Sequence, residues 1–299
     1  MRIVPLLKNS IVYIILLLVT LPIILLYTLL FLQSISVNLN GVIPNGFTLD
    51  HWSILSTGNI RVPGTTTQYY PNLYLVASNT FILAVIIAFT EVVLSSLAGY
   101  ALSRYKFAGR SQILTLMLIL HAFPGITLLI ALFYVLNALG LYNSLIGVVI
   151  VKVALDLPLG IWIMKGFFDG IPWDIEMSAL VDGCSRLGAW WRVIMPNVRN
   201  GLMAVLIFGF LSGWSEFIYV LTFIASQDYW TFSMLVYALT TGEYSYINPG
   251  ITATVAIIYM IPVIIFFLFA QKYLFPQFFQ HTLLLTYPRF LIEYLSHAL

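Results

Sequence analysis

Of 299 residues, 61% are hydrophobic and only 8% charged, with a formal net charge of +2. A soluble domain carries about 25% charged residues, so this composition excludes a soluble globular protein and specifies a polytopic membrane protein; the near-neutral balance excludes a nucleic-acid partner. The one cysteine, Cys184, excludes an internal disulfide and any cysteine cage for a metal or iron–sulfur cluster.

Residues 1–10 are short and basic, with Arg2 and Lys8. Ile11–Leu32 follows as an apolar run long enough to cross the ~30 Å hydrocarbon core. It is too long for a signal-peptide core and has no small-residue cleavage site, so it is expected to remain as an anchor. Residues 33–72 carry turn signals at Asn38–Gly41, Pro44–Gly46 and Pro63-Gly64. They read as an extramembrane loop, with a short helix opening near Thr48–Asp50. Leu73–Ser103 is the second span, ending in Arg104, Lys106 and Arg110. Ile113–Leu136, interrupted by Pro124-Gly125, is the third, and Ser144–Phe168, containing Pro158, is the fourth. Leu202–Ala225 is the fifth and Ile251–Tyr273, containing Pro262, the sixth. Proline inside three spans predicts kinks, which a bundle tolerates when neighbours satisfy the freed carbonyls.

With the N-terminus inside, the inner segments hold Arg2, Lys8, Arg104, Lys106, Arg110, Lys165, Arg186, Arg192, Arg199, Lys272 and Arg289, and the outer loops only Arg61. The positive-inside rule then predicts six spans with both termini cytoplasmic. The segment 171–201, between the fourth and fifth spans, falls on the same side.

That segment has a regular pattern. Met177, Leu180, Val181 and Cys184 fall at i, i+3, i+4 and i+7, one face of a helix. Asp174, Ser178 and Asp182 recur every four residues on another face. Gly183 is placed to end the helix in a left-handed conformation, and Ser185 to cap a second one. In that second helix Leu187, Trp190, Trp191 and Ile194 repeat the apolar spacing until Pro196. Helix, glycine turn, helix, with one apolar side, is the pattern of a docking elbow; the alternative is an amphipathic pair lying on the membrane surface.

These residues resemble the cytoplasmic motif of ABC-importer permease subunits: E-A-A, three residues, glycine, nine residues, I-x-L-P. Ser178-Ala179, the Asp182-Gly183 pair, and Val193, Met195 and Pro196 stand at the motif's intervals. Met177 occupies the usual glutamate position, with Glu176 one residue earlier, and Asn200 replaces a common second proline. Ala98–Gly109 is similar to the A-Y-A-x-x-R-x-x-F-x-G segment of maltose-type carbohydrate permeases. Phe123-Pro124, Gly140–Asn143, Gly166–Phe168 and Trp214–Phe217 are further landmarks, and the likeness covers most of residues 73–273.

The resemblance implies an all-α membrane protein with the six-helix, type I ABC importer (MetI/MalG-like) permease fold. Residues 1–72 would form the first span and its loop, 73–275 the permease core, and 276–299 a tail. It implies that the elbow couples to an ATPase through Asp174, Glu176, Met177, Ser178, Ala179, Asp182, Gly183, Arg186 and Pro196. The implied partners are a second related permease, two ATPase subunits, an extracytoplasmic sugar-binding protein, the sugar, and membrane lipid. The loop between the fifth and sixth spans would meet the binding protein through Asp228, Tyr229, Trp230, Glu243 and Tyr244. The tail departs from the family's glycine-rich basic ending: Phe290, Leu291, Tyr294, Leu295 and Ala298 form an apolar stripe, with Arg289, Glu293 and His297 on another face.

No G-x-x-x-x-G-K-[ST], H-E-x-x-H or G-x-S-x-G motif is present. His51, His121, His281 and His297 are scattered. No catalytic residue, metal site or cofactor is expected, so energy must reach the chain from a separate motor. Ionisable residues inside spans cost about 2.5–3.5 kcal/mol each even on the lenient insertion scale, which makes them the functional candidates. Lys152 and Asp156 can neutralise each other at i, i+4. Glu91 and Glu216 have no partner on their own helices. Glu216 can accept hydrogen bonds from sugar hydroxyls, Asn79 offers a polar wall, and Trp214 and Tyr219 offer stacking faces. Against this path reading stand structural pairing and core packing, and, for function as a whole, an ion-gradient secondary transporter using Glu91, Lys152–Asp156 and Glu216 as a relay.

Overall fold

The computed structural model describes residues 3–40, 43–62, 67–241 and 248–274. Their contacts fall into two compact units, Met1–Val76 with Phe232–Pro262, and Ala77–Thr231 with Val263–Leu299.

In the first unit α1 (Ile3–Ser34) runs through Pro22 without ending. Its side chains from Tyr13 to Leu26 are exposed all round, as befits a helix whose solvent is hydrocarbon. The turn signals that follow produce a hairpin not anticipated from sequence, β1 (Ser36–Asn40) antiparallel to β2 (Ile43–Phe47), with Asn38 opposite Asn45. The short helix expected near Asp50 is present as a turn of 3₁₀-helix (Asp50–Ser53) leading into Ile54–Thr57, and Gly58 ends it at φ +68°. His51 is structural: its Nε2 lies 3.2 Å from the Ser36 carbonyl.

The second unit is built around α2 (Leu73–Arg104), taken from Ala77 onward. It contains α3 (Arg110–Ala122), α4 (Leu129–Ala138), α5 (Leu145–Asp169), α6 (Trp173–Val181), α7 (Arg186–Asn197), α8 (Arg199–Trp214) and α9 (Ile218–Phe223). Helices in lipid have little hydrophobic reason to associate, so close backbone contact through small residues does the work. Here α8 presents Gly209 and Gly213 to Ala88 and Ala84 of α2. A Cβ at Gly209 would stand 2.9 Å from the Ala88 Cα, and one at Gly213 2.8 Å from the Ala84 Cα. Against α5, α2 uses Gly99, where a Cβ would lie 2.9 Å from the Met164 Cβ, and Ser95, whose hydroxyl would meet a Cβ at Gly160.

Ser144 caps α5, accepting from the Gly147 N–H at 3.1 Å. Two expected spans are not continuous. The third is α3 and the helical turns 125–138, bent by 89° at Phe123-Pro124; Phe123 is extended, as a residue before proline must be. The fifth stops at Trp214 and restarts at Ile218, so α8 alone, 16 residues, is too short for the ~30 Å core. Among the described residues four helices are long and apolar enough to cross a membrane, or up to six if each bent pair is one span. The tail 276–299 lies outside the described residues.

Gly213→Val should force α8 away from α2 and destabilise the bundle by about 1–3 kcal/mol, the usual range for overpacking. Thermal unfolding in detergent should read this as a clear drop in Tm. Gly166→Ala, where nothing lies within 4 Å of an added Cβ, should leave Tm unchanged or slightly raised.

Candidate coupling elbow and interior cavity

The elbow folds as its glycine demands. Gly183 stands at φ +89°. The Cys184 N–H reaches back to the Ala179 carbonyl at 3.0 Å, and the Gly183 N–H to Leu180 at 3.1 Å. This pair of bonds closes α6 and satisfies carbonyls the helix would leave orphaned. Ser185 then caps α7, its Oγ accepting from the Gly188 N–H at 3.1 Å. Trp190–Ile194 widens into a π-helical turn, and α7 meets α8 at 78°.

The apolar face that the spacing marks as the docking side is left open within this chain. Met177 and Val181 are exposed, Val181 at 86%, along with Leu187 and Trp191. Asp174, Ser178, Asp182, Gly183, Arg186 and Pro196 are exposed as well. The buried side of α6 is instead Glu176 and Ala179. Glu176, expected as an outward docking residue, faces the bundle. Its Oε2 lies 2.9 Å from Arg104 Nε in an ion pair whose N–H is not aligned for a hydrogen bond, and its Oε1 accepts from the Tyr100 hydroxyl at 2.5 Å. Arg104 also donates from Nη2 to the Ile171 carbonyl at 3.2 Å and lies over the Trp173 ring at 5.3 Å. Nearby, Asp169 pairs with Lys165 and accepts from Ser103 Oγ at 2.6 Å. Met164, Phe168, Ile171, Ile194, Val198 and Val205 fill the space beneath. The outer side is left as a depression of about 700 Å³ bounded by Asp182–Ser185, Leu187, Gly188 and Trp190–Arg192.

A second polar site lies where α5, α8 and α9 meet. Lys152 Nζ stands 3.2 Å from Asp156 Oδ2 and 3.4 Å from Glu216 Oε2. The i, i+4 pair is therefore two members of a three-residue cluster, and Glu216 finds its counter-ion across the bundle. Ser212 Oγ donates to Asp156 at 2.5 Å. Glu216 sits in the break between α8 and α9, where its Oε1 accepts from the Tyr219 N–H at 2.9 Å and starts the new helix. Tyr219 closes the site from the side: an added Cβ on Gly125 would collide with its hydroxyl. The cavity so formed measures about 340 Å³.

The other path candidates divide. Glu91 is 3% exposed and lines an adjoining pocket of about 180 Å³ with Asp156 and Ser212. Trp214 is buried and stacks on Phe210, at 5.7 Å between centroids, outside the cavity wall. Asn79 is a staple, donating to the carbonyls of Asp228 at 2.7 Å and Trp230 at 3.0 Å. That leaves Asp228 and Tyr229 exposed and Trp230 buried; Glu243 and Tyr244 lie outside the described residues.

Asn143 was legible only as a landmark, yet it holds the same region. At φ +56° its Oδ1 accepts from both Ala225 N and Ser226 N at 2.9 Å. Asparagine tolerates that left-handed geometry, which is the signal that could have marked it. Among the described residues no group of three His, Cys, Asp or Glu side chains could hold a metal ion.

Residues 91–280 match the family described as binding-protein-dependent transport system inner membrane component. The chain belongs to this family. It is similar to the trehalose/maltose transport system permease protein MalG of Thermococcus litoralis, 33% identical over 215 residues covering 72% of this chain and 76% of that one. It is also similar to the sulfoquinovosyl glycerol transport system permease protein SmoH of Agrobacterium fabrum, 32% identical over 200 residues, 67% and 70% of the two chains. Its fold resembles that of a bacterial ABC transporter involved in the import of the acidic polysaccharide alginate, at TM-score 0.70 and 19% identity over 91% of this chain and 96% of that one. As a family member it is a multi-pass inner-membrane transport component with the permease fold expected from its elbow.

Glu176→Ala should leave Arg104 buried without its counter-charge, a change that costs about 3–5 kcal/mol when one partner of a buried pair is removed. Hydrogen exchange should then rise in 173–184 while α5 stays protected. Asn143→Ala should release the amides of Ala225 and Ser226 to exchange without affecting the elbow.

Proposed function

We propose that the chain is the sugar permease subunit of an ATP-driven importer, forming part of the translocation path beside a second, related permease. Two ATPase subunits and an extracytoplasmic sugar-binding protein complete the machine. The observation that carries this reading is the two-sided elbow. Its inner side is tied to α2 through Glu176 and Arg104, whereas its outer side leaves Val181, Leu187 and Trp191 uncovered. An exposed apolar patch of this kind marks a protein interface. The distribution of lysine and arginine supports a cytoplasmic elbow and cytoplasmic termini.

The mechanics follow from the packing. ATP-driven movement of the motor pushes on Gly183 and its neighbours. The elbow transmits it to the end of α2 through the Arg104–Glu176 pair, and α2 carries α8 with it because glycine contacts leave no side-chain cushion between them. The wall of the cavity moves as α8 and the break at Ser215–Phe217 move. Glu216 and Tyr219 face the passing solute from that wall, Asn79 secures the 228–230 turn for the binding protein, and Glu91 lines the deeper pocket. Trp214 supports the wall from behind.

The secondary-transporter reading loses its main support, since Lys152 is engaged by Asp156 and Glu216 together, and family membership favours the binding-protein-dependent route. In vesicles holding the assembled complex, uptake should stop when ATP is depleted, and an imposed proton gradient should not restore it. Gly183→Val should abolish uptake while the complex still assembles in the membrane, because a β-branched residue resists φ +89°. Uptake driven by the gradient alone would overturn the proposal.

A further inference from the structure

Beyond α9 the chain makes a turn of 3₁₀-helix, Gln227–Tyr229, between Ser226 and Trp230. Gln227, Asp228 and Tyr229 are exposed, and Trp230 is buried. The turn's internal bonds are long. Ser226 Oγ accepts from the Asp228 N–H at 3.2 Å, and the Tyr229 and Trp230 N–H groups reach back to the carbonyls of Ser226 and Gln227, each at 3.2 Å. One such turn, with the poor hydrogen-bond geometry of a 3₁₀-helix, is weakly held by its own bonds.

Two asparagines hold it from outside, and they do so with opposite polarity. Asn143, in the segment entering α5, offers an acceptor: its Oδ1 takes the N–H groups of Ala225 and Ser226, both at 2.9 Å. Its own backbone N–H donates to the Phe223 carbonyl at 2.9 Å. Asn79, on α2 and 7% exposed, offers a donor: its Nδ2 reaches the carbonyls of Asp228 at 2.7 Å and Trp230 at 3.0 Å. The partners dictate which end of each amide faces the turn, because an N–H needs an oxygen and a carbonyl needs an N–H. One grip lies just before the exposed residues and the other just after their start.

Resting on the importer reading above, we propose that Asn143 and Asn79 are positioning residues that preform this turn as a docking post for the extracytoplasmic binding protein. Preorganisation of this kind removes the ordering cost that docking would otherwise carry. The two grips come from different places, α2 and the entrance of α5, so the turn keeps its shape only while those two keep their spacing. A partner that prefers the preformed turn therefore also favours that spacing. Docking is in this way passed to α2, the helix that holds the elbow through Arg104 and Glu176.

The opposite polarities make aspartate the discriminating substitution. Asn143→Asp keeps an oxygen for both N–H groups and tolerates the left-handed backbone at φ +56°. Asn79→Asp removes the donor and sets a carboxylate against two carbonyl oxygens. The ATPase rate of the assembled importer in nanodiscs is titrated with its extracytoplasmic binding protein. Asn79→Asp, Asn79→Ala and Asn143→Ala should each raise the half-saturating concentration about tenfold, the order expected when two bonds that preorganise a site are lost. The maximal rate should be regained at saturation. Asn143→Asp should stay within about twofold of the parent, since its bonds are kept. Hydrogen exchange at Tyr229 and Trp230 should rise in the first three variants and not in the fourth. Should Asn79→Asp fail to assemble, Asn79→Ala against Asn143→Asp carries the same contrast. An unchanged half-saturating concentration, a loss of maximal rate in its place, or equal behaviour of the two aspartates would overturn the clamp and leave the importer reading standing. If the binding protein fails to stimulate even the parent importer at any concentration, both readings fall.

Discussion

Arg104 and Glu176 meet 2.9 Å apart, both nearly enclosed, at the point where a membrane helix hands over to the elbow. Two charges are not taken out of water for stability alone, since well-packed apolar residues do as well or better. Their value lies in geometry. Arg104 reaches the carboxylate, the Ile171 carbonyl and the Trp173 face, so the start of α6 is held in one orientation relative to α2. Remove that constraint and the start of α6 loses its fixed orientation on α2.

In the proposed coupling the same helix α2 would carry a displacement inward. Its Ala84 and Ala88 lie against Gly213 and Gly209, and its Ser95 and Gly99 against Gly160 and Met164. Backbone touching backbone transmits motion with little slack, because closely packed interiors resist compression. Among the described residues, bends fall at the Phe123-Pro124 corner and the α7–α8 junction, with a helix break at Ser215–Phe217. The polar cluster sits beside the last of these, where Glu216 both starts α9 and meets Lys152. One carboxylate thus links local chain geometry to the charge of the cavity.

Much of this was readable residue by residue. Leu73–Ser103 and Ser144–Phe168 emerge within a residue of their predicted limits, and the caps at Ser144 and Ser185 form as their residue types dictate. Gly183 adopts the left-handed turn its position requires. Other features needed the fold. Apolar spacing marked Met177 and Val181 as a docking side, and both stay exposed within this chain; periodicity did not reveal that the covered face of α6 is the one bearing Glu176. Trp214 offered an aromatic surface in principle and spends it on Phe210. Asn79 looked like a wall residue and is a staple for the 228–230 turn. The Gly209/Gly213 pair was present in the letters, yet its significance depends on which helix lies opposite.

Hydropathy, turn chemistry and the side of the membrane favoured by lysine and arginine are local properties, settled by a residue and its near neighbours. They were enough to place the spans and the glycine turn, while the class of machine came from the resemblance of the elbow to the permease motif. Pairings across the bundle are another matter. Tyr100 and Glu176 are 76 positions apart, and Ser212 and Asp156 are 56 apart, so no periodicity connects them. Only when glycines let α2, α5 and α8 close to backbone contact do lone carboxylates acquire partners, because an ion pair depends on separation in space and not on order along the chain.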